Sequence, residues 1–341
     1  MHPLSIEAQW QSQKESRRRI IRLMLLLLGG FLLVLIALWF WLTQPLLVSS
    51  NPALERVVDP AKLETHVRKL SIELSPRDES HIENLDLVAA YIKDQFQQAS
   101  SNVFEQPYQV DGKSYRNVIA QFGPEAGERI VIGAHYDTAG PLPGADDNAS
   151  GVAGLIELAH LLGKHDLKTR VDLVAFTLEE PPYFRTNGMG SAVHAESLRK
   201  QNVSVRAMIS LEMIGYFSDA AHSQRFPAAL LQAFYPSTGN FVGVVGRVNE
   251  GLLARRVKAT MRAASPLPVY SITAPSFIPG IDFSDQLSYW NAGYPALMIT
   301  DTAFYRNQNY HTEKDTAEKL DYKRMAMVVK GVFAAVVEMG K

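Results

Sequence analysis

Cysteine is absent from the 341-residue chain. That excludes a disulfide framework, a cysteine nucleophile and any thiolate-ligated metal, although it does not fix the compartment. An excess of either charge is missing too: 34 Lys and Arg stand against 35 Asp and Glu, for a net charge of -1. The chain therefore has no global basic field with which to hold nucleic acid. Charged residues make up only 20% of the chain while 47% is hydrophobic, which is the wrong balance for a disordered protein. No glycine-rich phosphate loop of the dinucleotide or Walker type occurs, and no G-x-S-x-G nucleophile elbow. Internal repeats and low-complexity tracts are likewise missing, apart from one leucine-rich stretch. What remains is a chain long enough to bury a sizeable core as one large or two ordinary domains.

The mean hydropathy of -0.06 conceals an uneven distribution. From Leu23 to Leu42 there is no charged residue. At ~1.5 Å per residue these ~20 residues form a helix of ~30 Å, enough to cross a bilayer core. Gly29 and Gly30 are tolerated in such a helix, and Trp39 and Trp41 stand where an interfacial aromatic belt would lie. Lys14, Arg17, Arg18, Arg19 and Arg22 precede the run, and no charge follows it until Glu55. The positive-inside rule then predicts a single-pass protein with a cytoplasmic N-terminus and an exported bulk, periplasmic or extracellular. A cleaved signal peptide is the alternative, with Val48-Ser49-Ser50 as cleavage context, but the run exceeds the ~7–15 residues of a signal core. A buried soluble helix is the third reading. The expected division is a short basic segment (1–22), an anchor (23–43), a linker containing Pro45, Ser49, Ser50, Asn51 and Pro52 (44–57), and one domain (58–341).

Within that domain helical and strand patterns alternate. Apolar spacing near three to four predicts helices over 58–73 and 85–99. Strands are expected over 102–110 and 115–122 around the turn Asp111-Gly112-Lys113. Further strands are expected over 129–134, 170–177, 205–213, 241–246, 267–272 and 296–300. Helices are expected from Asn148 or Ser150 to about Gly163, and over 188–201, 250–264 (with Asn249 as N-cap), 283–292 and 321–339. Continuous apolar strands between helices predict an α/β sheet covered on both faces.

Ligands of such folds sit beyond the carboxyl ends of the strands, and several of these ends carry metal-type residues. In Gly133-Ala134-His135-Tyr136-Asp137 the histidine and aspartate leave the same face of an extended chain, as a ligand and the carboxylate that orients it would. From this motif alone a satisfied surface pair is the better reading. Pro143-Gly144-Ala145-Asp146-Asp147-Asn148-Ala149-Ser150-Gly151 places two carboxylates before a helix start. A cap needs only one such residue, and a carboxylate bridging two cations would relieve the repulsion. Glu179 and Glu180 end a buried strand and point apart, so that one can ligate metal while the other stays free as a base; a solvated loop pair is the bland reading. Glu212 lies among apolar residues, where an unpaired carboxylate is costly. Tyr310-His311-Thr312 comes last, and a lone histidine is usually structural. Together these residues form a nitrogen and oxygen donor set suited to zinc.

The segments GAHYDT, PGADDNASG, EE, LEMIGY, SDQ…GYPALMITD and YHTEKDT resemble, in order and spacing, the co-catalytic di-zinc aminopeptidases of the leucyl aminopeptidase type. Relatives of that family include glutamate carboxypeptidases, glutaminyl cyclases and the non-catalytic transferrin-receptor ectodomain. The resemblance covers roughly residues 60–340. It implies a single α/β domain with a central mixed, mostly parallel sheet flanked by helices, two zinc ions and peptide substrates. It also implies site roles: His135 on one zinc with Asp137 orienting it, Asp147 bridging, Glu179 as general base, and Glu180 with His311 on the other zinc. Glu212 stands at the fourth ligand position, where the family more usually has aspartate. Tyr310 stands where some members stabilise the oxyanion. The SDH of many members reads Ser284-Asp285-Gln286, and no catalytic role is expected of Gln286. The implied activity is hydrolysis of N-terminal residues from peptides by an activated water. A glutaminyl cyclase with one working zinc and a non-catalytic binding module are the alternatives. Phe226, Phe234 and Tyr235, in the least informative stretch (217–276), are expected to be core rather than pocket wall. Oligomeric state is not legible.

Overall fold

The structure is a computed structural model that describes residues 6–46 and 57–341. Most of the expected linker, including the Val48-Ser49-Ser50 context, lies outside the described residues. The first element, α1 (Ile6–Thr43), joins the basic segment and the apolar run in one helix. It is long and apolar enough to cross a membrane, and none of its apolar window is buried, so it is not a core helix.

The remaining helices are α2 (Pro60–Arg68), α3 (Ile82–Gln97), α4 (Gly151–Leu162), α5 (Gly190–Lys200), α6 (Gly251–Ala264), α7 (Gln286–Asn291) and α8 (Tyr322–Met339). The strands are β1 (Val103–Val110), β2 (Lys113–Phe122), β3 (Arg129–His135), β4 (Arg170–Phe176), β5 (Val205–Glu212), β6 (Val242–Gly246), β7 (Val269–Thr273) and β8 (Ala296–Thr300). They form one sheet in the order β1-β2-β4-β3-β5-β8-β6-β7. Strands β4, β3, β5 and β8 run parallel, as do β6 and β7, while β1–β2, β2–β4 and β8–β6 pair antiparallel. The β1–β2 hairpin closes through Asp111 and Gly112, both at positive φ (52° and 77°), as the favoured two-residue hairpin turn requires.

Helices cover both faces. Ile130 and Ile132 of β3 enter the larger core with α2, α3, α4, α6 and α8, while Val131 faces the smaller core under α5 and α7. This explains the unbroken apolar runs of the central strands: each successive side chain meets a different helix layer. The expected architecture is thus the observed one, a single α/β domain with a mixed sheet.

Local departures have local causes. Asn249 does not cap α6, because residues Val248–Glu250 form a 3-10 turn and no side chain caps the helix that follows. Ser150 turns its hydroxyl to the Asp146 carbonyl (2.7 Å), leaving Asn148 Oδ1 to accept from the Gly151 N–H at the start of α4 (3.1 Å). The helix expected over 283–292 is shortened to Gln286–Asn291, since Ser284 is committed to the centre described next.

Candidate metal centre

Six side chains, five of them ligand candidates, converge beyond the carboxyl ends of the parallel strands. His135 ends β3, Glu179 and Glu180 follow β4, and Glu212 ends β5. Asp147 comes from the turn before α4, and His311 from the long connection between β8 and α8. Asp147 lies in the middle. Its Oδ1 is 3.4 Å from His135 Nε2, and its Oδ2 is 3.0 Å from His311 Nε2. His135 Nε2 is also 3.3 Å from Glu212 Oε2, and His311 Nε2 is 3.1 Å from Glu180 Oε1. Two triads result, His135–Asp147–Glu212 and His311–Asp147–Glu180, each with donor atoms within 4.8 Å of one another. A third grouping, His135 with Glu179 and Glu180, meets the same limit.

These contacts fit a metal better than they fit each other. His135 Nε2 and Asp147 Oδ2 are buried and satisfy no hydrogen bond, although partners stand close by. Atoms that converge on a common point between them, rather than along each other's hydrogen-bond axes, are arranged as ligands. Their charges say the same. Burial alone would raise Asp147, yet His135 and His311 hold it below the usual carboxylate range. Burial, reinforced by Asp147, pushes Glu180 up to about 8. Burial opposes protonation of His311, but Asp147 and Glu180 outweigh it and raise the histidine to about 10. Burial raises Glu212, and burial with the neighbouring Glu180 and Glu212 holds Glu179 well above the carboxylate range. Without a cation the cluster keeps protons to lower its own repulsion.

The turn 145–150 is locked from all sides. Its two aspartates do different work. Asp146 accepts from the Gly215 N–H (3.0 Å) and Asn307 Nδ2 (2.8 Å), so only Asp147 faces the histidines. Asp315 accepts from the backbone N–H groups of Asp146 (3.0 and 3.1 Å) and Asp147 (3.0 Å). Gly144 enters the turn at φ 55°, where a Cβ would lie 2.3 Å from the Asp147 carbonyl oxygen. The fully buried Arg77 donates to the carbonyls of Leu70, Pro143, Gly144 and Tyr136 (2.8–2.9 Å), with burial lowering its guanidinium to about 10.

Asp137 does not act on His135 through its carboxylate alone. The ring Nδ1 is 3.2 Å from the Asp137 carbonyl oxygen and 3.6 Å from Oδ1. The carboxylate instead accepts the backbone N–H groups of Glu179 and Glu180, both at 3.1 Å, and so pins the glutamate pair. Glu179 Oε2 stands 3.9 Å from His135 Nε2. Tyr310 stacks on His311 with ring centroids 3.7 Å apart and reaches the wall of an adjoining cleft.

That cleft is mainly apolar and encloses about 840 Å³ when the open solvent at its mouth is included. Glu212 and Tyr310 line it, as do Phe226, Tyr235, Tyr270 and Phe304. Of the three aromatics expected in the core, Tyr235 is buried and also lines the cleft, Phe226 is half-buried in the cleft wall, and Phe234 is half-buried and does not line it. Their placement depends on the long excursion between β5 and β6, which carries no periodic pattern to read. Ser284 was also missed as a functional residue: its hydroxyl donates to Glu212 Oε2 (2.7 Å). Gln286 donates to the Ile281 carbonyl (3.0 Å).

Comparison with known proteins agrees with this geometry. Residues 117–336 match the signature of Peptidase family M28. The chain is 48% identical over 293 residues to the uncharacterized protein YfbL of Escherichia coli, covering 84% of this chain and 90% of that one. It is 28% identical over 253 residues to leucine aminopeptidase 1 of Pyrenophora teres f. teres, covering 71% of this chain but only 58% of that protein's length. Among solved structures, BSAP, a zinc aminopeptidase from Bacillus subtilis, superposes with a TM-score of 0.64 at 14% identity, covering 82% of this chain and 95% of that one. Glutaminyl cyclase of Porphyromonas gingivalis superposes with a TM-score of 0.62 at 21% identity, covering 83% and 99%. These two likenesses show the shared fold.

Proposed function

The chain belongs to peptidase family M28, and from that premise we propose that it is a membrane-anchored, zinc-dependent aminopeptidase. The observation that carries the reading is the Asp147 carboxylate, with one oxygen toward each of two histidines and one further glutamate beside each histidine. His135, Asp147 and Glu212 would hold one zinc; His311, Asp147 and Glu180 would hold a second. Bound zinc supplies Lewis acidity, which brings the pKa of a water toward neutrality and polarises a carbonyl. Glu179, held by the Asp137 carboxylate through its backbone N–H, takes the proton of the attacking water and returns it to the leaving amine. The Tyr310 hydroxyl donates to the oxyanion. Asp137 places both glutamates, and its carbonyl faces His135 Nδ1 and sets which ring nitrogen is free. The apolar cleft receives the first side chain of the substrate.

Release of free N-terminal amino acids from peptides by the full chain tests the reading. Glu179→Gln is expected to lower turnover by roughly 10²–10⁴-fold with zinc retained. Near-normal turnover would remove Glu179 from the role of base. The likeness to a glutaminyl cyclase favours a second reading, closure of an N-terminal Gln on itself. Ammonia released from Gln-peptides without free amino acid would establish it and displace the first.

The division into basic segment (1–22), anchor (23–43), linker (44–57) and peptidase domain (58–341) belongs to the same proposal, as does export of the domain. The clustered positive charges before Leu23, and their absence after Leu42, support that orientation.

A further inference from the structure

The C-terminal end of α1 does not dangle. Thr273 Oγ1, at the carboxyl end of β7, donates to the Trp41 carbonyl (3.0 Å) and accepts from Gln44 Nε2 (2.7 Å). Ser271 Oγ donates to the Thr43 carbonyl (3.0 Å). The Lys258 ammonium, from α6, donates to the carbonyls of Thr43 (2.6 Å) and Gln44 (2.5 Å). A cation on the last carbonyls of a helix satisfies groups that have no partner within it and opposes its dipole. Thr43 and Gln44 are buried by this clasp.

The apolar run ends at Leu42, so no spacer separates the bilayer boundary from β7. Whatever surrounds the carboxyl end of β7 must then lie at that boundary. A Cβ at Gly251 would lie 3.9 Å from Thr273 Oγ1, and the next residue, Leu252, is 85% exposed. Phe277, four residues beyond Thr273 and so within ~14 Å of it, is 81% exposed. Arg255 and Arg256 are exposed one turn after Leu252 on α6, so that cationic side chains flank an apolar one as on surfaces that meet anionic lipid. Ser271 and Tyr235 serve both regions: each lines the cleft, and the Tyr235 hydroxyl bonds the Ser271 carbonyl (2.7 Å).

We propose that α1 is a rigid mount that seats the β7 end of the domain, through Leu252, Phe277, Arg255 and Arg256, on the lipid surface. The inference rests on α1 being a retained anchor.

The absence of native cysteine makes the test direct. Full-length chains carrying Leu33→Cys, Leu252→Cys, Phe277→Cys, Leu87→Cys or Phe104→Cys are labelled with a fluorophore. They are then placed in phosphatidylglycerol-containing vesicles with nitroxide-labelled lipid. Leu87 and Phe104 lie on α3 and β1, at the opposite edge of the sheet, roughly 34 Å from β7 at ~4.8 Å per strand. Quenching at 252 and 277 should exceed that at 87 and 104 several-fold. Quenching at 33 with none in excess at 252 and 277 overturns the mount while leaving the anchor intact. No quenching at 33 overturns the anchor and the mount together. Position is read independently of turnover, so failure of the peptidase reading leaves this result standing.

Discussion

Zinc loading should be strongly pH-dependent, with a size set by the protons the empty centre keeps. His311, raised to about 10, is protonated at pH 7, and burial opposes protonation of His135 while Glu212 and Glu179 raise it. Glu180, at about 8, is mostly protonated there as well. Zinc takes neutral imidazole and carboxylate, so filling both sites near pH 7 should expel about two protons, from His311 and Glu180, with any from His135 in addition. Each expelled proton changes the overall binding constant about tenfold per pH unit, or about 1.4 kcal/mol, so two give about 10²-fold per unit. Calorimetric zinc titration in buffers of different ionisation enthalpy counts these protons directly. The same shifts fix the sign of the stability change. A base raised in the folded state stabilises it fully below the unfolded value of about 6.5, and that contribution is lost as pH rises toward 10. An acid raised to about 8 binds more protons folded than unfolded above pH ~4.3, so it too loses stability as pH rises. The zinc-free protein should therefore melt lower at pH 8 than at pH 6, and the Tm gain on adding zinc should be larger at pH 8. Fewer than one proton released, with affinity flat in pH, would refute the reading of these five side chains as one coupled ligand set.

Asp147→Asn should lower zinc below two ions per chain after dialysis, because the shared carboxylate serves both triads; two retained ions would separate the triads. Tyr310→Phe keeps the ring stacked on His311 and removes one oxyanion donor, so kcat should fall by about 10²-fold with KM little changed. An unchanged kcat would assign the hydroxyl to the cleft wall alone. Arg77→Met removes the hydrogen bonds to the carbonyls of Leu70, Tyr136, Pro143 and Gly144, of which Gly144 keeps the Ala149 N–H (3.1 Å), and the denaturation midpoint should drop by the equivalent of about 3 kcal/mol at constant m. A loss under about 1 kcal/mol would mean that water replaces the guanidinium.

What could be read in the sequence followed from periodicity and from short-range chemistry. Strands β3, β4 and β5 are apolar on both faces, so their runs stand out, and the residues just beyond them are the ones that meet. His135, Asp147, Glu179, Glu180 and Glu212 lie within five residues of an element end or helix start, where a strand-end argument reaches them. His311 lies eleven residues past β8, in a connection with no pattern; alone it reads as structural, and its pairing with Glu180 is what the resemblance implies. The groups that hold the centre in place are less visible still. Arg77 precedes the sheet altogether, and nothing around it marks it as buried; its partners are carbonyls brought near by a turn 66 residues away. Asp315 and Asn307 act on the backbone and side chain of 146–147 across more than 160 residues. A cluster of buried carboxylates implies such partners as a class, since each acid must find a donor, a proton or a cation. It cannot say which residues they are, because that depends on how a loop returns to the sheet. The two tucked residues at the end of α1 make the same point. Pro45 and Ser49 mark a linker by composition, yet Thr43 and Gln44 bind β7, because Ser271, Thr273 and Lys258 offer donors that only the folded domain assembles.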